Sequence, residues 1–165
     1  MFHVLINQLL SIPFLIIPAY LIHYFGNDMS ITIPSYHSLF IHIILSLIIF
    51  DFIFFVGHYL SHFSYLYKSL HKIHHEWSSP VAVSAHYNHF IEHLILNILA
   101  PSISIIVVGA NYFTMCLWFV LATMAVTFTH SGYFFAGASR HDYHHHYYKS
   151  EYGVFISDFI FKTNI

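Results

Sequence analysis

Three short runs of histidine carry the chemistry that this chain can do. His58 and His62 stand four residues apart, His71 is followed by His74 and His75, and His141 by His144 and His145. Residues three and four apart on a helix share a face, so each run presents two or three imidazoles together. Neutral imidazole is the commonest metal-ligand side chain, and an all-nitrogen shell suits Fe, Zn or Cu better than Mg or Ca. One such pair would be an ordinary polar motif at a membrane interface. Eight rings, with the spacing H-x-x-H-H occurring twice, are more than one ion uses. The pattern is that of a two-metal site.

Two single histidines join the candidate ligands. His130 opens the His-rich tail just past a long apolar run, and His89 sits where the preceding apolar run begins. His86 and His93 bracket His89 at helical spacing with no assigned role, and His146 reads as a neighbour of the site. His3, His23, His37 and His42 read as interfacial or packing residues. Asp51 lies seven residues before His58, two helical turns back on the same face. An acid inside an apolar helix is costly and needs a partner. Carboxylates commonly hold the outer nitrogen of a metal-bound histidine, which is the role expected of Asp51.

The elements that must position these groups are membrane helices. The 165 residues are 58% apolar and 7% charged, against roughly 25% charged in soluble domains. Four apolar segments cover residues 4–25, interrupted by Pro13 and Pro18, 38–56, 90–108, broken at Pro101, and 112–129. At about 1.5 Å per residue, segments of this length span a hydrocarbon layer of about 30 Å. Polar turns separate them at 26–36 and at Gly109 to Asn111. The expectation is a single all-α integral-membrane domain over 1–165. About four transmembrane helices in two hairpins would carry a His-rich helical cap holding a dinuclear metal site. A re-entrant pair formed by the third and fourth segments would leave the cap unchanged.

Lys68, Lys72, Arg140, Lys149 and Lys162 are all the Lys and Arg present, and four crossings put every one on the side of the cap. The positive-inside rule makes that side cytoplasmic. A formal net charge of −2 with no basic patch excludes a nucleic-acid partner. The lone Cys116 rules out an intrachain disulfide.

At these residues the chain resembles the fatty acid hydroxylase and sterol desaturase superfamily of integral-membrane di-iron enzymes. The resemblance runs over about residues 50–163. It begins with Asp51, Phe54, Phe55, His58 and His62 and continues with His71, His74 and His75. The Tyr-Ala-His-Pro-x-Glu motif of sterol-modifying members is met by Tyr87-Asn88-His89-Phe90-Ile91-Glu92, without the proline. His130-Ser131-Gly132-Tyr133 is intact, as is His141-Asp142-Tyr143-His144-His145. The closing Asp-x-x-Phe-Gly-Thr is met by Asp158, Phe161 and Thr163, with Lys162 in place of glycine. The sterol C4-methyl oxidase and C5-desaturase branch is the nearest in pattern.

The resemblance implies O2-dependent hydroxylation or desaturation of a membrane lipid, sterol or fatty-acyl, at two Fe ions. The ten histidines named as candidates would hold the metal, with Asp51, Glu92 and Asp142 supporting them. Zinc fits the same imidazoles in a purified sample. Electrons would come from a separate donor, cytochrome b5 or a ferredoxin with its reductase, since the chain has no Cys cluster and no nucleotide-binding fingerprint. The short chain implies a minimal lid or a homo-oligomer. The membrane would be the endoplasmic reticulum in a eukaryotic cell or the inner membrane in a bacterium. The competing reading is a non-catalytic membrane metal-binding protein, a Zn or Cu buffer, or an inactive family member. Crossings nearly bare of ionisable groups argue against a metal conduit.

Overall fold

The computed structural model describes residues 2–25, 27–133 and 136–164. Among these every regular element is helical. Four helical stretches are long and apolar enough to cross a membrane: Phe2–Leu21, Tyr36–Ser61, Phe90–Val107 and Tyr112–Thr129. They match the four expected segments and make this an integral-membrane fold. Gly26, placed by the sequence in the first turn, lies outside the described residues.

The first span is α1 (Phe2–Ser11) and α2 (Ile16–Tyr24), joined by a 3₁₀ turn over Ile12–Leu15. Pro13 sits at the start of that turn, where its missing N–H costs least. The second span, α3 (Tyr36–Ser61), is one 26-residue helix capped by the Ser35 side chain. It outruns the expected end at 56 and so carries His58 on its last turns. The short α4 (Ser64–Ser69) follows it.

The third span begins with one turn, α5 (Phe90–Glu92), widens into a π-helix over His93–Leu99, and ends as α6 (Ala100–Val107). Proline lacks an N–H and its ring collides with the carbonyl four residues back. The wide turns just before Pro101 absorb that conflict, so the expected break becomes a change of helical pitch. The fourth span is α7 (Tyr112–Thr129), capped by Asn111.

The two polar turns meet at one end of the bundle. Asn111 Nδ2 donates to the Thr32 carbonyl at 2.8 Å, the Tyr112 amide to that of Asp28 at 3.0 Å, and Asn27 Nδ2 to that of Ile106 at 3.2 Å. Gly109, at φ 71°, makes the tight reversal that an L side chain resists. Between the spans Phe50, Ala100, Ile105, Met115, Trp118 and Ala122 form the buried core. The indole N–H of Trp118 donates to the Pro101 carbonyl at 3.0 Å. Large side chains such as Leu9, Phe40, Phe52 and Val120 face outward, as lipid-facing positions do.

At the opposite end lies the cap: a 3₁₀ stretch over His71–Glu76, a second over Ala82–His86, α8 (Ala136–Tyr147) and α9 (Ser157–Phe161). The His71 run is therefore 3₁₀ rather than the expected α-helix.

Candidate metal centre

The cap histidines converge on two points. His58, His62, His71, His75 and His144 bring one ring nitrogen each within 4.8 Å of one another, and His74, His130, His141 and His145 do the same. Nine of the ten candidate ligands are thus gathered, from the end of α3, the 3₁₀ run, the end of α7 and α8. Each H-x-x-H-H box feeds both groups. His71 and His75 go to the first and His74 to the second, whereas His141 and His145 go to the second and His144 to the first. The groups adjoin, with the rings of His75 and His145 centred 4.6 Å apart.

Six of the nine rings have Nδ1 tied to an oxygen. His58 donates to the Tyr152 carbonyl at 2.7 Å, His71 to Glu92 Oε1 at 2.6 Å and His74 to the Tyr87 carbonyl at 3.4 Å. His130 donates to the Val126 carbonyl at 2.7 Å, His144 to that of Ser150 at 2.5 Å and His145 to that of Trp77 at 3.1 Å. An oxygen acceptor fixes the proton on Nδ1, so in each neutral ring Nε2 carries a bare lone pair.

Within each group the Nε2 atoms face one another. His74 and His130 approach Nε2 to Nε2 at 3.3 Å, His130 and His141 at 2.8 Å, and His141 and His145 at 3.2 Å. In the other group the separations are 3.0 Å for His62 and His71, 3.0 Å for His71 and His75, and 3.2 Å for His62 and His144. With both protons held on Nδ1, His74 and His130 meet lone pair to lone pair, which repels unless a cation lies between them. Neighbouring nitrogens about 2.1 Å from a metal lie ~3.0 Å apart in an octahedron and ~3.4 Å apart in a tetrahedron. The observed spacings are edges of such polyhedra, so the donor set fits two transition-metal ions. His58 Nε2, buried with no partner among the described residues, has the same explanation.

Burial also keeps the rings in the ligand form. It pushes His62 down to about 2, with His58 and His145 nearby adding to the effect, and His130 to about 3. His145 falls to about 4, again chiefly by burial, and burial likewise lowers His71, His74, His75, His141 and His144 well below their ordinary value. A ring that stays neutral is ready to bind metal.

The remaining candidates fall elsewhere. His89 lies outside both groups: its Nδ1 accepts the Ile91 amide at 3.2 Å and caps the helix that starts at Phe90. A residue at that boundary faces the orphan amides of the first turn, and a ring nitrogen that caps them is spent locally. Asp51 does not touch His58. Its Oδ1 accepts the amides of Val154 and Phe155 and its Oδ2 those of Ile156 and Ser157, at 2.7 to 2.9 Å. Asp158 accepts the Tyr152 and Gly153 amides in turn. The two acids fold the loop whose Tyr152 carbonyl holds His58, so Asp51 acts one step further from the histidine groups than expected. Glu92 takes the expected place beside His71. Asp142 is half-buried with Oδ1 unpartnered among the described residues, and no hydrogen bond joins it to a ligand ring there. The backbone carbonyls of Trp77, Tyr87, Val126, Ser150 and Tyr152 also hold the rings, and they have no side-chain signature in the sequence.

The family model for fatty acid hydroxylase matches residues 43–163, which contain both histidine groups and every acid that supports them. The chain belongs to the fatty acid hydroxylase family. Among its curated relatives is fatty acid hydroxylase domain-containing protein 2 of Homo sapiens, 32% identical over 92% of this chain and 46% of that protein. Very-long-chain aldehyde decarbonylase GL1-11 of Oryza sativa is 30% identical over 98% of this chain and 63% of the relative. Methylsterol monooxygenase 2-2 of Arabidopsis thaliana is 32% identical over 82% and 55%. This fatty acid hydroxylase chain spans about half to two thirds of the length of these relatives. No solved structure matches it.

Proposed function

We propose that this chain is an O2-dependent lipid hydroxylase or desaturase working at two histidine-held iron ions. The observation that carries the reading is the convergence of nine Nε2-bearing rings into two groups, with His74 and His130 meeting lone pair to lone pair, within a family whose relatives include a methylsterol monooxygenase. When bound, the two irons supply the two-electron activation of O2. Hydroxylation balances as one C–H bond, one O2, two electrons and two protons giving one C–OH and one water. Desaturation removes two hydrogens and gives two waters.

The chain's own residues position and shield. His58, His71, His74, His130, His144 and His145 are locked in one tautomer by their Nδ1 partners, so their Nε2 atoms are set before metal arrives. A void of about 20 Å³ is bordered by His58 and His71 of one group and His74, His130 and His141 of the other. It has room for one water-sized molecule between the two groups. Phe54, Ala85, Leu96 and Val126 supply apolar parts of its wall.

The electrons come from a separate donor protein, a cytochrome b5 or a ferredoxin with its reductase, docking at the cap. The five basic residues, all on the cap side, support a cytoplasmic cap by the positive-inside rule. The test is anaerobically purified, iron-loaded protein given reductant, O2 and a lipid extract. O2 uptake with a product 16 mass units heavier or 2 lighter supports the proposal. A fully iron-loaded protein that consumes no O2 above the His145→Ala variant refutes it and favours metal storage.

A further inference from the structure

His86 and His93 belong to neither histidine group, yet both are built into the wall of a large cavity. That cavity holds about 740 Å³, within the roughly 300–1,000 Å³ typical of small-molecule sites. It lies between the N-terminal span and α7, with Leu9, Ile12, Val120 and Met124 along its exposed rim. All four belong to membrane-crossing stretches, so the cavity opens sideways into lipid rather than toward water.

Its inner wall is polar. His93 is 1% exposed, and its Nε2 has no partner among the described residues; the same is true of His86 Nδ1. The two rings meet edge to face with centroids 5.8 Å apart. Asn97 Nδ2 lies 3.1 Å from His93 Nδ1. An amide nitrogen only donates, so His93 Nδ1 accepts and the ring proton sits on Nε2. His93 therefore holds a buried N–H donor with no acceptor among the described residues, a group that favours an incoming acceptor.

The same Asn97 connects cavity and metal. It borders the large cavity, the small void beside His58, His71, His74, His130 and His141, and a second small void that shares Leu96 and Val126 with the first.

We infer that the cavity is a binding site for a membrane lipid bearing an oxygen function, held by that oxygen at His93, with Asn97 fixing the ring and His86 alongside. The hydrocarbon body lies toward the rim. Resting on the oxidative reading above, this places the reacting carbon a few bonds from the lipid's oxygen-bearing end rather than in mid-chain. His93 is a specificity residue and leaves the metal ligands untouched.

The chain's single cysteine, Cys116, is exposed and lines this cavity, which makes it a native reporter. The experiment follows N-ethylmaleimide labelling of Cys116 in detergent-solubilised, metal-loaded protein with 1-hexadecanol or hexadecane. Hexadecanol is expected to slow labelling at about tenfold lower concentration than hexadecane. His93→Leu should erase that preference, and His93→Gln, whose amide restores a donor, should recover most of it. Metal content should be unchanged in both variants.

Equal protection by alcohol and alkane, or none by either, overturns the proposal. So does metal loss in both variants. The readout needs no turnover, so it separates from the oxidative reading. Protection by alcohol in a protein that consumes no O2 would leave this site standing and remove the enzyme reading alone.

Discussion

Replacing Asp51 by Asn tests how the fold supports its histidines from a distance. Asp51 is 1% exposed and accepts four backbone amides, two on each oxygen. The substituted carboxamide would keep one acceptor oxygen and set its own N–H groups against the other two backbone amides. Two charge-assisted bonds at about 1.5–3 kcal/mol each are lost, roughly 3–6 kcal/mol before the loop relaxes. That is a large share of a folding free energy of about 5–15 kcal/mol. The slack loop includes Tyr152, whose carbonyl orients His58. Removing such outer support typically costs about 10–100-fold in metal affinity. Thermal unfolding in detergent and a chelator titration of iron or zinc read the two effects. Metal affinity within twofold of the parent, with the melting temperature unmoved, would refute the proposed coupling from α3 through the loop to His58.

Other outcomes follow from the same geometry. A Cβ at Gly153 would collide with Ser157 Oγ and lie 2.9 Å from Asp158 Oδ2 and 3.2 Å from Asp51 Oδ1. Gly153→Ala should therefore mimic Asp51→Asn in both assays, with a smaller loss of metal affinity. Lys162 sits at φ 56°, at the position where the family's closing motif has glycine. Lys162→Gly should raise stability by about 1 kcal/mol, seen as a higher melting temperature with metal affinity unchanged. In metal-free protein the cap imidazoles stay neutral well below their ordinary value, whereas the unfolded chain's histidines take up protons below about 6.5. The unfolded state then binds more protons, so stability falls as pH drops from about 6.5 toward 4. Melting of the stripped protein should show that loss between pH 7 and 5, and melting insensitive to pH there would contradict the buried neutral rings.

Most of the architecture was readable because hydrophobicity and ligand chemistry are local. Four apolar runs gave the four spans, and the repeated H-x-x-H-H box drew attention to nine rings that do converge. His89 misled because a histidine at a helix start caps amides as readily as it binds metal, and one ring does not reveal which. The splitting of each box between two groups escaped because helical spacing shows that the rings share a face but not which rings of other segments each one meets. Asp51 lies on the His58 face as expected, but its partners are amides about a hundred residues away, which no local pattern encodes. The carbonyls that fix the tautomers are backbone atoms and leave no mark in residue types. His86 and His93 stayed without a role because the cavity they border exists only once the N-terminal span packs beside α7.

The most direct test of the account is metal stoichiometry. Protein purified anaerobically from iron-supplied cells should carry close to two irons per chain, one for each histidine group. His130→Ala should fall to about one while remaining folded in the membrane. A parent protein that saturates at one ion, or a His130→Ala variant that keeps both, would contradict the two-centre arrangement.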